Sequence, residues 1–181
     1  MEKQEFFRRL NEKLGVLPPG GGIADPCSLI GAVRYELRGS DGRLKQEGMF
    51  HNLVNSIGDR WVAHYLISSI VGDTRSMWAE LGVNTTAPLK GDTGLGTLVN
   101  ASSVAVTGSY PTRVTSFSGT GEWTVWQFDW AAGAATNGSL GEVGMRTQAG
   151  SFVAHALLVP NVAKGANDSL MVQWAWKPQG A

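Results

Sequence analysis

The chain is poor in the residues that most often carry chemistry. Among 181 residues it has one cysteine, Cys27, and three histidines. A single thiol excludes any disulfide within the chain, so the fold must stand on packing alone, in keeping with assembly in a reducing cytoplasm. His51, His64 and His155 lie too far apart for a local metal motif, and each is expected to be a structural or surface residue. Charge is sparse and balanced. Fifteen basic and fifteen acidic side chains cancel, which gives no overall attraction to nucleic acid, acidic lipid or a polyanionic substrate. Long apolar runs are missing as well. Residues 1–22 lack the apolar centre of a signal peptide, and the stretch from Trp61 to Val71 is too short and interrupted to span a bilayer, so neither nucleic acid nor membrane is an expected partner.

What the chain does have is glycine, 24 residues, and tryptophan, seven. Many tight turns with a few large anchors suit an all-β protein better than a helical bundle. The length suits one domain with an appendage, because a domain of about 150 residues buries roughly 70% of its unfolded surface.

The appendage is residues 1–22, an N-terminal arm and linker, and the β-rich domain is 23–181. Phe6, Phe7, Leu10 and Leu14 recur at helical spacing among charged residues, which predicts a short amphipathic helix. Pro18-Pro-Gly-Gly-Gly22 ends it. A helix this short is marginal alone, so its apolar stripe needs a surface, either its own domain or a neighbouring subunit.

Val33, Tyr35 and Leu37 alternate with Arg34, Glu36 and Arg38, a period of two that predicts a strand with one face on a core and one in water. Ser40-Asp-Gly-Arg43 is a turn, and Leu44 to Phe50 should return as the hairpin partner. Ser56 is placed to cap a helix over 56–71, with Ile57, Trp61, Tyr65 and Val62, Leu66, Ile70 as adjacent apolar rows. Beyond it the pattern is β throughout: 77–83, 104–106, 112–117, 122–130, 140–147, 152–160 and 170–176. Short strands with glycine-rich connections predict an antiparallel β-sandwich or barrel with one packed helix. Trp126, Phe128 and Trp130 share one strand face, and Leu170, Val172, Trp174 and Trp176 share another; these faces are the expected core.

Candidate chemistry is thin. Gly91-Asp-Thr-Gly-Leu-Gly96 has the wrong order for a dinucleotide fingerprint and no following Gly-Lys-Ser/Thr for a phosphate loop. Glu142, in Gly141-Glu-Val-Gly144, is the most suggestive carboxylate, since its small neighbours admit another backbone or a ligand; the bland alternative is a turn carboxylate accepting local amides. Asp129 faces away from Phe128 and Trp130 without a positioned partner. Trp123, Trp126, Trp130, Trp174 and Trp176 could form a sugar-stacking platform, since aromatic faces bind pyranose rings, whereas strand tryptophans more often fill a core or an intersubunit contact. No catalytic residue, cofactor or metal ligand is assigned, and the chain is not expected to be an enzyme.

The stretch Leu81-Gly-Val-Asn-Thr-Thr-Ala-Pro-Leu-Lys-Gly-Asp-Thr-Gly-Leu-Gly-Thr97 leaves a strand for dense turn chemistry. Thr85, Thr86 and Pro88 favour extended backbone, Gly91, Gly94 and Gly96 permit angles closed to other residues, and Asp92 can satisfy free amides. Together with His51-Asn-Leu-Val-Asn-Ser-Ile-Gly58, the run from Trp130 to Gly144 and the run from Lys164 to Trp174, it resembles, in order along the chain, a group of tailed-bacteriophage virion proteins: head decoration, cement or tail-fibre proteins. The resemblance implies a virion structural role. A compact chain with a detachable arm and no repeated shaft suits a capsid decoration or cement protein on the virion surface, bound to the major capsid protein as a homo-oligomer or symmetric array. The alternative is a tail-fibre or receptor-binding component recognising host surface glycan. Expected contact residues are Phe6, Phe7, Leu10 and Leu14 on the arm, and Thr85, Thr86, Pro88 and Leu89 in the loop.

Overall fold

The computed structural model describes residues 29–67, 76–115 and 122–178. The arm, with Phe6, Phe7, Leu10 and Leu14, and Cys27 lie outside these residues. The described chain is mainly β: strands β1 (Leu29–Arg38) and β2 (Leu44–Val54), helix α1 (Ser56–Ile67), then β3 (Met77–Gly82), β4 (Val104–Ala105), β5 (Thr112–Thr115), β6 (Glu122–Trp130), β7 (Asn137–Thr147), β8 (Phe152–Lys164) and β9 (Ser169–Pro178).

All nine strands join one antiparallel sheet in the order β4-β3-β7-β8-β2-β1-β9-β6-β5. The sheet curls, and near its two ends it is tied together: Thr107 N donates to Gln127 O at 2.8 Å, and Trp130 Nε1 donates to Ser102 O at 2.6 Å. The join between β2 and β8 is narrow, limited to Leu53 opposite His155 and Val54 opposite Ala154. Further along, the two strands are spanned by a side chain, as Gln46 Nε2 donates to Pro160 O and Asn161 O.

The concave face holds the core. Alternation along β1 sends Val33, Tyr35 and Leu37 inward, and the same rule on β6 and β9 places Trp126 opposite Trp174, Phe128 opposite Val172 and Trp130 opposite Leu170. Directly opposed aromatic and branched pairs of this kind each add roughly 0.2–1 kcal/mol beyond alanine pairs. Trp126 and Trp176 meet edge to face at 5.1 Å, and Trp61 of α1 closes on Trp176 at 6.2 Å. Helix α1 comes this close to β8 because Gly58 carries no Cβ, which would otherwise strike the backbone of Val153.

Three expectations need correction. The face of β1 that should meet water is covered at Arg34 and Glu36, both buried, because the polar side chains of neighbouring strands pack over it. The helix cap is Asn55 and not Ser56: Asn55 Oδ1 accepts from Gly58 N at 2.8 Å, and its carbonyl accepts from Asp59 N. Glycine's left-handed freedom is used at Gly42, Gly133 and Gly150, whereas Gly91, Gly94 and Gly96 do not adopt positive φ.

Candidate functional site

The loop between β3 and β4 is the part of the surface with the most elaborate support beneath it. Its anchor is Glu142, which stands within β7 next to a break in register between Leu140 and Glu142. Such irregularities re-aim a side chain, and this one sends the carboxylate toward the loop. Glu142 is 0% exposed. Its Oε1 accepts from Thr97 N at 3.1 Å and Asn84 N at 3.3 Å, and its Oε2 accepts from Gly96 N at 3.2 Å. Three backbone amides from the two ends of one loop therefore converge on a single side chain. Glu142 is not a turn residue with local bonds; the glycine beside it admits a distant backbone, since a Cβ on Gly141 would lie 2.5 Å from Asn84 O. Gly82 and Gly96 serve the same purpose, keeping space open for Glu142 and Asn84 respectively.

The fourth bond to Glu142 comes from His155 on β8. The imidazole is 4% exposed and sits between two carboxylates, with Nε2 2.9 Å from Glu142 Oε2 and Nδ1 2.9 Å from Asp92 Oδ2. Two hydrogen bonds to two carboxylates need a proton on each ring nitrogen, or one on a carboxyl oxygen. Asp92 brings in the tip of the loop. Its Oδ2 accepts from Leu89 N at 2.8 Å, and its own N donates to Leu89 O at 3.1 Å. Asn55 then ties the tip to the helix cap, with Nδ2 donating to Asp92 O at 2.9 Å and to Phe152 O at 2.8 Å. Outside this network, Ser56 N donates to Lys90 O and Lys90 Nζ to Asp59 Oδ2 at 2.7 Å.

Chemically, the arrangement is a clamp. The Glu142 carboxylate is sealed from solvent with four bonds, and the ring nitrogens of His155 are both engaged, so these groups fix backbone in place. Among the described residues, no group of three His, Cys, Asp or Glu has the geometry to hold a metal ion. On the outside of the clamp Thr85 and Thr86 are exposed, Pro88 is half-buried, and Leu89 is 64% and Leu98 54% exposed. Asn84 Oδ1 orders the first of these by accepting from Thr85 N at 2.8 Å, Thr86 N at 3.2 Å and Thr86 Oγ1 at 3.0 Å.

The other candidates are dispersed. His51 is exposed on β2. Trp126, Trp130, Trp174 and Trp176 are buried in the core and Trp123 is buried on the opposite face with Lys177 over its ring, so these rings offer no open stacking platform. The partnership of Asp92, Glu142 and His155 was hidden from sequence reasoning by separations of 50 and 13 residues; only the small residues around Glu142 signalled it.

Burial pushes the Asp92 carboxyl up, but the Leu89 amide and the His155 ring together outweigh it and hold it below the ordinary carboxylate value. A carboxyl whose folded pKa is depressed contributes stability that is present above its unfolded pKa and lost as pH falls through the folded value. Denaturant midpoints measured from neutral pH down through the acid range should fall accordingly, and Asp92→Asn should flatten that acid limb. An unchanged limb would contradict the assigned role of Asp92. No protein-family model, curated protein or solved structure matches the chain.

Proposed function

We propose that the chain is a tailed-bacteriophage virion structural protein, a decoration or cement protein that binds the outer capsid shell and ties neighbouring major capsid subunits together. Within this reading the curled sheet is a barrel-like body and the arm reaches to a neighbour. The observation that carries it is the clamp of Glu142, His155 and Asp92 beneath a loop that displays Leu89 and Leu98. A loop already fixed in one conformation loses little entropy on docking, and exposed apolar side chains on a rigid support are the usual anchors of an interface. A protein that binds only the assembled shell stabilises it by mass action, so each closed seam raises the cost of opening it.

The test is co-sedimentation with expanded empty capsids. Leu89→Asp combined with Leu98→Asp should weaken capsid binding at least about tenfold, a loss of roughly 1.4 kcal/mol, while the melting temperature stays unchanged because both side chains face solvent. Removing residues 1–17 should leave a folded monomer that no longer binds capsids. Unaltered affinity in both variants rules the reading out, and immunogold labelling of intact virions should mark heads.

A further inference from the structure

On the face of the sheet turned away from the core, β1, β9 and β6 set polar side chains in register. Arg34 lies opposite Gln173, which lies opposite Gln127; two residues along, Glu36, Met171 and Asp129 form the next row. These side chains are bonded end to end. Arg38 donates to Glu36 Oε2 from Nε at 3.1 Å and Nη2 at 2.7 Å, and Glu36 also pairs with Arg34. Arg34 Nη1 donates to Gln173 Oε1 at 3.4 Å, Gln173 Nε2 to Gln127 Oε1 at 2.9 Å, and Gln127 Nε2 to Asp129 Oδ2 at 3.0 Å. Thr107 Oγ1 completes the series at Asp129 Oδ2, 2.6 Å away. All of the series but Thr107 lines a cleft of about 460 Å³, which Tyr110 and Met171 also line. That volume falls within the roughly 300–1,000 Å³ of small-molecule sites.

Two features narrow the ligand. The first is charge: Arg34 and Arg38 balance Glu36 and Asp129, so an anion meets two carboxylates, a cation meets two guanidinium groups, and an apolar ligand would strip water from polar groups without replacing it. What fits is a neutral molecule that both donates and accepts. The second is geometry. Carboxylate, carboxamide and guanidinium are planar groups with two-pronged hydrogen bonding, the spacing that adjacent hydroxyls on a sugar ring present. Both bonds to Asp129 fall on Oδ2, which leaves Oδ1 to accept a hydroxyl. The phenol of Tyr110 and the thioether of Met171 supply apolar surface for the C–H face of a ring. The side chains are held by one another before any ligand arrives, so little ordering is left to oppose binding.

We propose that this cleft binds a neutral saccharide of one or two rings, with Asp129 and Gln127 engaging its hydroxyls and Tyr110 its ring face. The site is separate from the β3–β4 loop, so its failure leaves the capsid reading untouched, whereas its success would favour the tail-fibre or receptor-binding alternative. The test titrates the full 15N-labelled chain with glucose, galactose, mannose, N-acetylglucosamine, maltose and lactose, with glucuronate and glucosamine as charged counterparts. At least one neutral sugar should shift the Gln127 and Gln173 side-chain amides saturably, with a Kd of about 1 mM or tighter. Asp129→Ala and, independently, Gln127→Ala should each weaken that binding at least about tenfold while leaving the backbone amide shifts of the core strands and capsid co-sedimentation intact, as both side chains lie on the outer face. Absence of saturable shifts with every neutral sugar, tighter binding of a charged counterpart, or equal affinity in both variants overturns the proposal.

Discussion

Replacing Glu142 with alanine is expected to cost about 3–5 kcal/mol of stability, because it removes a fully buried carboxylate on which four hydrogen bonds converge. The loss has more than one source. Three amides, Asn84 N, Gly96 N and Thr97 N, lose their acceptor, and an unsatisfied buried donor costs roughly 1–3 kcal/mol on its own. His155 loses one of its two carboxylates and is left buried beside Asp92 alone. Glu142→Gln should fall between wild type and alanine, because one amide oxygen can still accept while the NH2 faces donors. Urea unfolding gives the stability change, and hydrogen exchange at Asn84, Gly96 and Thr97 locates it: those amides should lose protection before the core strands do. A Glu142→Ala protein within about 1 kcal/mol of wild type would show that the loop is held by other means. The same variant bears on the capsid reading, since a loosened loop must be reordered on docking and capsid affinity should fall along with loop protection.

Much of the strand layout is legible in the sequence because period-two alternation is strong where one face is buried. The stretch 122–130 is β6 at both ends, and the aromatic faces of β6 and β9 are the core. Less legible is anything that depends on which strands become neighbours. Glu142 and His155 meet because β7 lies beside β8, and Asp92 reaches them from a loop some fifty residues earlier; no local spacing encodes that encounter. Arg34 and Glu36 mislead for the same reason, since alternation assigns them to the far face but does not say that Gln173 will lie across the strand to cover them. The cap falls at Asn55, one residue before Ser56, within the usual ambiguity of helix ends. Glycine in the β3–β4 loop suggested unusual backbone angles, yet Gly96 serves by its lack of a side chain against Asn84.

Trp130→Ala is the other substitution expected to have a large effect, about 3–5 kcal/mol, the range for emptying a buried aromatic site. Trp130 is 1% exposed and stands opposite Leu170 within the core. It also has a bond that its neighbours lack: among the described residues the indole N–H groups of Trp126, Trp174 and Trp176 meet no acceptor, whereas Trp130 Nε1 donates to Ser102 O. Ser102 is in turn fixed to β3, its hydroxyl accepting from Leu81 N at 3.0 Å and donating to Leu81 O at 3.1 Å. Trp130 therefore links β6 to the far end of the curled sheet through one polar contact as well as through packing. Trp130→Phe separates the two contributions. It keeps much of the ring volume while removing the donor and part of the indole, so it should cost about 1–3 kcal/mol, the penalty for leaving Ser102 O unpaired together with a small void. If the bond matters to the curl, amide protection at Thr107, whose N–H reaches Gln127 O beside it, should drop in Trp130→Phe more than protection between β1 and β9. Equal loss at both places would mean that Trp130 acts by volume alone and that the two ends of the sheet are held together by the core.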